Sequence, residues 1–102
     1  MSTPAAILIP GIKAAVYKHS DGDPLSTLKW LEDFNKKFAE ARGKDCSYKL
    51  AALLRSSASD AAKYNLDDSL YTGWGIMVGW NGDGTDFIYT LHADGKVTWV
   101  KG

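Results

Sequence analysis

Side chains able to do acid–base or metal chemistry crowd into one short stretch, Tyr17-Lys18-His19-Ser20-Asp21-Gly22-Asp23-Pro24. An imidazole beside two carboxylates can move a proton near neutral pH or begin a divalent-cation site. A metal centre needs three or four converging ligands, and the only other histidine, His92, lies far along the chain. Both acids also have structural uses. Asp21 suits the Ser20-Asp21-Gly22 turn, Asp23 suits a helix N-cap, and Pro24 fits the first helical position, where its missing N–H is not needed. Tyr17, His19 and Asp21 therefore stand as the candidate ligand or polar site.

Other reactive types are less organised. Asn81-Gly82-Asp83-Gly84-Thr85-Asp86 alternates oxygen ligands with glycines, but a calcium loop needs glycine where Asp86 stands and a bidentate acid where His92 stands. It reads as a hairpin loop. The single cysteine, Cys46, stands near a helix start with Lys44 and Lys49 nearby, and spacing brings no histidine to it. Ser47, Ser56, Ser57 and Ser59 lie in no nucleophile elbow, and no helix follows the glycines at 73, 75, 79, 82 and 84 to cradle a phosphate. The sequence assigns no catalytic residue, metal or cofactor.

The positioning elements are clearer. Ala5 to Ile9 and Ile12 to Tyr17 are apolar segments separated by Pro10-Gly11, which either ends a short strand or bends a longer one; the second segment is the clearer strand. A helix is predicted from Pro24 to Arg42, with Leu28, Leu31, Phe34 or Asn35, Phe38 and Ala41 as its stripe and Gly43 as its C-terminal cap. A second helix starts near Asp45 or Ser47, buries Leu50, Leu53 and Leu54, and ends in Ser56-Ser57-Ala58-Ser59. Ala61 and Ala62 suit a short extra turn ended by Asn65, and Leu66 to Thr72 reads as a loop. Trp74 to Trp80, Asp86 to His92 and Lys96 to Val100 are strands, the last two joined by the tight Ala93-Asp94-Gly95 turn. The expectation is one α+β domain in the order β-α-α-β-β-β, an antiparallel sheet of about four strands with two helices packed on one face.

Alternation places Trp74, Ile76, Val78, Trp80, Phe87, Tyr89, Leu91, Val97 and Trp99 on the face under the helices. The opposite face then carries Gly75, Met77, Gly79, Ile88, Thr90, His92, Thr98 and Val100. That face is too apolar for solvent, so it is either an interface or covered by the N-terminal segment, unless the register shifts by one. Met77, Ile88, His92 and Val100, with Trp30 on the first helix, are the candidate partner-binding residues. Trp30 combines aromatic area with a position off the helix stripe.

Twelve basic and twelve acidic residues cancel, so the chain has no global field for a polyanion and nucleic acid is not an expected partner. Met1 to Pro10 has neither a basic n-region nor an apolar run long enough for a signal peptide or membrane span, and a lone cysteine fits a reducing compartment. The expectation is a cytoplasmic protein with no membrane partner.

Several segments together resemble a family of small proteins encoded by tailed bacteriophages, prophages and other mobile elements. They are Ile9-Pro10-Gly11, Ala15 through Pro24, Leu31-Glu32-Asp33-Phe34, Tyr48-Lys49-Leu50-Ala51, Tyr71-Thr72-Gly73-Trp74-Gly75 and Tyr89-Thr90-Leu91. The resemblance implies a bacterial host cell as the setting and no particular activity. The family usually carries another residue where Asp23 stands, which sets Asp23 apart from any shared site. The leading functional expectation is a non-enzymatic accessory protein that binds a protein, either a host factor or itself as a homodimer. One alternative is a small-ligand or nucleotide-sequestering protein that stacks its ligand on Trp30 or Tyr71. Another is a metal-dependent hydrolase built on His19, Asp21 and His92.

Overall fold

The computed structural model describes residues 3–19, 21–43, 45–55 and 74–102. The extra turn expected at Ala61 to Asn65, the loop from Leu66 to Thr72 and the stacking residue Tyr71 lie outside them. Strand β1 (Ala5–Leu8) turns through Pro10-Gly11 into β2 (Ala14–Lys18). Gly11 has φ +97° and Ile12 N–H donates to the Ile9 carbonyl (3.0 Å), so the dipeptide ends one strand and starts a hairpin. Helices α1 (Pro24–Arg42) and α2 (Cys46–Arg55) follow, then β3 (Trp74–Val78), β4 (Phe87–Leu91) and β5 (Val97–Lys101).

The helix signals act as their chemistry dictates. Asp23 accepts from the Ser26 N–H and hydroxyl (3.2 Å each), Pro24 opens α1, and Gly43 closes it at φ +64° with its N–H on the Ala39 carbonyl (3.0 Å). Asp45 caps α2 through the Tyr48 N–H (3.1 Å). Leu31 of α1 and Leu53 of α2 enter one core with Ala5, Ile7, Ile9, Val16, Tyr89 and Leu91, so both helices cover the same sheet face.

Among the described residues the fold is α+β with two helices, as expected, but the sheet has five strands rather than four and is mixed rather than antiparallel. Its order is β3-β2-β1-β4-β5, and β1 lies parallel to β4 with Ala5 opposite Phe87 and Leu8 opposite Thr90. The added strand is Ala5–Leu8, which sits at the centre and is buried almost throughout. A strand covered on both faces reads as a continuous apolar run without alternation, and this one does.

The expected β3–β4 hairpin is absent. These strands are three places apart, and the segment from Gly79 to Asp86 crosses the face away from the helices to connect them. Gly79, at φ +74°, ends β3 and turns Trp80 away from the helix side, so Trp80 lies against Tyr17 on the opposite face (ring centroids 6.3 Å apart). The other residues assigned to the helix side by alternation share its register: Trp74, Ile76 and Val78 align through Lys18, Val16 and Ala14 with Ala5 and Ile7, and onward with Phe87, Tyr89 and Trp99.

Candidate functional site

The opposite face is largely filled by the crossing segment. A side chain at Gly82 would put its Cβ 2.9 Å from the Ala6 Cβ and 3.2 Å from the Ile88 Cγ1, so the backbone there lies directly on β1 and β4. Ala6 and Ala15 are buried as a result. The segment uses its own polar groups. Asn81 Oδ1 accepts from the Asp83 N–H (3.0 Å), the Thr85 hydroxyl donates to the Gly82 carbonyl (2.7 Å), and the Trp80 indole donates to the Asp83 carbonyl (3.0 Å). The continuous apolar face expected from sequence is therefore divided. Met77 and Val100 remain exposed on β3 and β5, about 19 Å apart by strand spacing, while Ile88 between them is half-buried under Gly82. His92 also has a local partner, its Nε2 lying 2.8 Å from the Thr98 hydroxyl.

The polar stretch after β2 resolves into separate tasks. Tyr17 hydroxyl and His19 Nδ1 are 2.9 Å apart on an exposed surface. Asp21 adopts φ +55°, and its carbonyl receives the Thr27 hydroxyl at the start of α1. Gly22 fits against β1, where an added Cβ would lie 2.6 Å from the Thr3 carbonyl oxygen, and its own carbonyl accepts the buried Tyr89 hydroxyl (2.6 Å). His19 follows β2 at the end of the sheet where β4 begins, whereas His92 follows the last residue of β4. The two histidines occupy opposite ends of the sheet, so a centre that needs both has no geometry. Among the described residues, no three His, Cys, Asp or Glu side chains converge to hold a metal ion.

Two buried polar residues had weaker signals in the sequence. Asn35 Nδ2 donates to the carbonyls of His92 (2.9 Å) and Lys96 (2.8 Å), fastening α1 to the β4–β5 turn, while its buried Oδ1 has no partner. Lys49 Nζ reaches the same His92 carbonyl (3.3 Å) and sits over the Phe38 ring. Burial pushes the Lys49 ammonium below its ordinary pKa, with the neighbouring Cys46 and Asp94 pulling the other way. Lys49 shares a helix face with Cys46, Leu50 and Leu53, so a cation inside an apolar stripe was the readable clue. Cys46 itself packs on the β1–β2 turn, its Sγ 3.0 Å from where a Gly11 Cβ would stand.

Among the described residues, two features bear on a partner. One is a recess of about 500 Å³ lined by Leu8, Ile9, Ile12, Lys13 and Trp80 with neighbouring backbone. The other is β3 itself. It is a terminal strand of the sheet, and Val78 is 85% exposed, with Ile76 and Met77 each 45% exposed on opposite faces. Trp30, 40% exposed on α1, stacks on Phe34 and meets the ring of Trp74 edge-on (centroids 5.9 Å apart), so it borders the start of the same strand. Among the described residues, no helix is long and apolar enough to cross a membrane. Comparison with protein-family models, with curated proteins and with solved structures finds no match.

Proposed function

We propose that this protein is a non-enzymatic binding module that takes an extended segment of another protein along the outer edge of β3. The observation that carries this reading is the edge strand Trp74–Val78, which has neither charge nor proline and exposes apolar side chains on both faces. Edge strands are commonly protected by charges, proline, bulges or a covering element; this strand has no charge or proline of its own, no described element lies outside it in the sheet, and an edge of that kind is a template for one more strand. Backbone hydrogen bonds would supply affinity, and Ile76, Met77 and Val78 with the bordering Trp30 would supply side-chain contacts. This replaces the Met77, Ile88 and Val100 surface expected from sequence with a site centred on one strand. The setting is the cytoplasm of a bacterium carrying a phage or mobile element, where such a module acts as an accessory protein on a host factor or on itself.

The test is cross-linking and affinity capture from bacterial lysate with the natural chain and Val78→Lys in parallel. Proteins cross-linked to β3 and lost from the variant are the expected outcome. An identical captured set from both baits would refute the reading.

The recess beside Trp80 favours a second reading, a small-ligand binder that sets an apolar or aromatic body on Trp80 with an anionic group at Lys13. Thermal-shift screening against aromatic acids and nucleotides tests it. A rise in Tm that Trp80→Ala removes supports this reading, and a flat screen counts against it.

A further inference from the structure

The crossing segment leaves one part of its sheet face uncovered. At the end of the sheet marked by the β1–β2 turn, away from Trp74 along β3, the recess of about 500 Å³ has the paired Leu8 and Thr90 as its floor. Trp80 and Asn81 of the crossing segment form one wall, and Ile12 and Lys13 of the turn form the other. The volume falls within the roughly 300–1,000 Å³ of small-molecule sites. Trp80 is committed at its polar end: the indole N–H donates to the Asp83 carbonyl (3.0 Å), so the ring offers a ligand its apolar body. Three donors at the recess have no such commitment. Asn81 spends its Oδ1 on the Asp83 N–H (3.0 Å), which orients the amide and leaves Nδ2 without a partner among the described residues. Among the same residues, neither the Lys13 ammonium nor the Thr90 hydroxyl has a hydrogen-bond or ion-pair partner.

We propose that the recess binds a monocarboxylate with a flat apolar body; this inference rests on the small-ligand reading of the same recess and narrows it to one chemical class. The body lies against Trp80, Leu8 and Ile12, and the carboxylate sits among Lys13 Nζ, Asn81 Nδ2 and Thr90 Oγ1. Charge selects the head group. Among the described residues, Lys13 is the one charged side chain lining the recess, so a single negative charge is neutralised there. A phosphate monoester, with about −1.5 to −2 at neutral pH, keeps an uncompensated charge beside apolar walls. Donor number agrees: a carboxylate offers about four lone-pair sites, and an ammonium, an amide and a hydroxyl fill three of them. Lys13 is exposed, so the head group lies at the mouth of the recess and keeps part of its hydration while the body enters. Contact with Tyr17 (ring centroids 6.3 Å apart) holds the Trp80 ring in place before a ligand arrives, which lowers the cost of ordering it on binding.

The experiment titrates the full chain by calorimetry at neutral pH with three probes that share one body: naphthoate, naphthylmethanol and naphthyl phosphate. Naphthoate should bind tightest, by about tenfold or more over the neutral alcohol, with the phosphate weaker than naphthoate. Lys13→Met should bring naphthoate down to the affinity of the alcohol, and Lys13→Arg should restore it. Asn81→Asp keeps the acceptor for the Asp83 N–H but replaces Nδ2 with a negative charge, so it should weaken naphthoate by about tenfold or more and leave the alcohol unchanged. Lys13 and Asn81 are exposed, so these variants read binding with the fold intact. Trp80→Ala should weaken all three probes. Equal binding of naphthoate and the alcohol, both weakened by Trp80→Ala, overturns the carboxylate assignment and leaves the recess as a ligand site. Phosphate binding tighter than naphthoate has the same meaning. No binding of any probe at millimolar concentration overturns the small-ligand reading as well, and so does naphthoate binding that Trp80→Ala and Asn81→Asp both leave unchanged.

Discussion

The sheet ends in two edge strands that the chain treats differently. At one end β5 is tied into the fold: Asn35 and Lys49 hold its turn through the His92 carbonyl, and Asn35 also holds the Lys96 carbonyl. Basic side chains stand at both limits of the strand, Lys96 before it and Lys101 at its end. At the other end β3 carries no charge and offers Ile76, Met77 and Val78 to solvent. The difference teaches where the molecule tolerates another strand. Charges at an edge oppose unplanned pairing, and among the described residues β3 is the edge strand that lacks them.

The comparison can be broken first at the pinned edge. Asn35→Leu removes the two Asn35 hydrogen bonds to the β4–β5 turn, leaving that of Lys49, and should cost about 2–3 kcal/mol, read as a lower midpoint in urea unfolding with faster amide exchange in β5. A smaller loss, about 1–2 kcal/mol, is expected from Tyr89→Phe, which leaves the Gly22 carbonyl without its buried donor.

Tyr89 also gives a pH signature. Burial, with the nearby Asp23 charge in a lesser role, raises its folded pKa above the ordinary value near 10. The unfolded chain then loses that proton first, so stability should fall as pH rises beyond about 10, and Tyr89→Phe should flatten the decline. Lys49 works with the opposite sign. Its lowered pKa means that the unfolded chain binds more protons between that value and about 10.4, so its contribution to stability rises across that window. Lys49→Met should remove this rise from a pH series of unfolding midpoints.

The comparison sharpens with substitutions that hardly touch stability. Lys101→Val strips the charge from the end of β5 and should leave folding within about 0.5 kcal/mol while adding a new association step in light scattering. Val78→Lys should be equally silent in unfolding, because the side chain is 85% exposed, yet it should suppress association at the β3 edge.

Local signals were legible because their chemistry is local. Asp23-Pro24, Gly43 and the Leu28, Leu31 and Phe38 spacing defined α1, and Gly95 marked the β4–β5 turn with the φ +98° it adopts. Strand order was not legible, because Asn81-Gly82-Asp83-Gly84 has the composition of a hairpin loop and the reach of a crossover. Only the approach of Gly82 to Ala6 distinguishes the two uses. Trp80 followed the same logic: alternation holds while the strand lasts, and Gly79 ends it one residue earlier. At the candidate site, Met77 and Trp30 were named from sequence, but the exposure of Ile76 and Val78 depends on β3 being terminal, which one strand's pattern does not encode.

The parallel pairing of Ala5 with Phe87 also sets an order of events during synthesis. β1 can hairpin with β2 as soon as both exist, but its other side has no partner until β4 is made, and Ala6 has no cover until Gly82 arrives. Contacts between the first strand and a segment some eighty residues later close a large loop, which slows folding relative to a sheet of local hairpins. A ribosome-bound chain that has not yet emerged past Leu91 therefore carries its most apolar strand as an open edge, and stalling there should make it a substrate for chaperones that recognise unpaired strands.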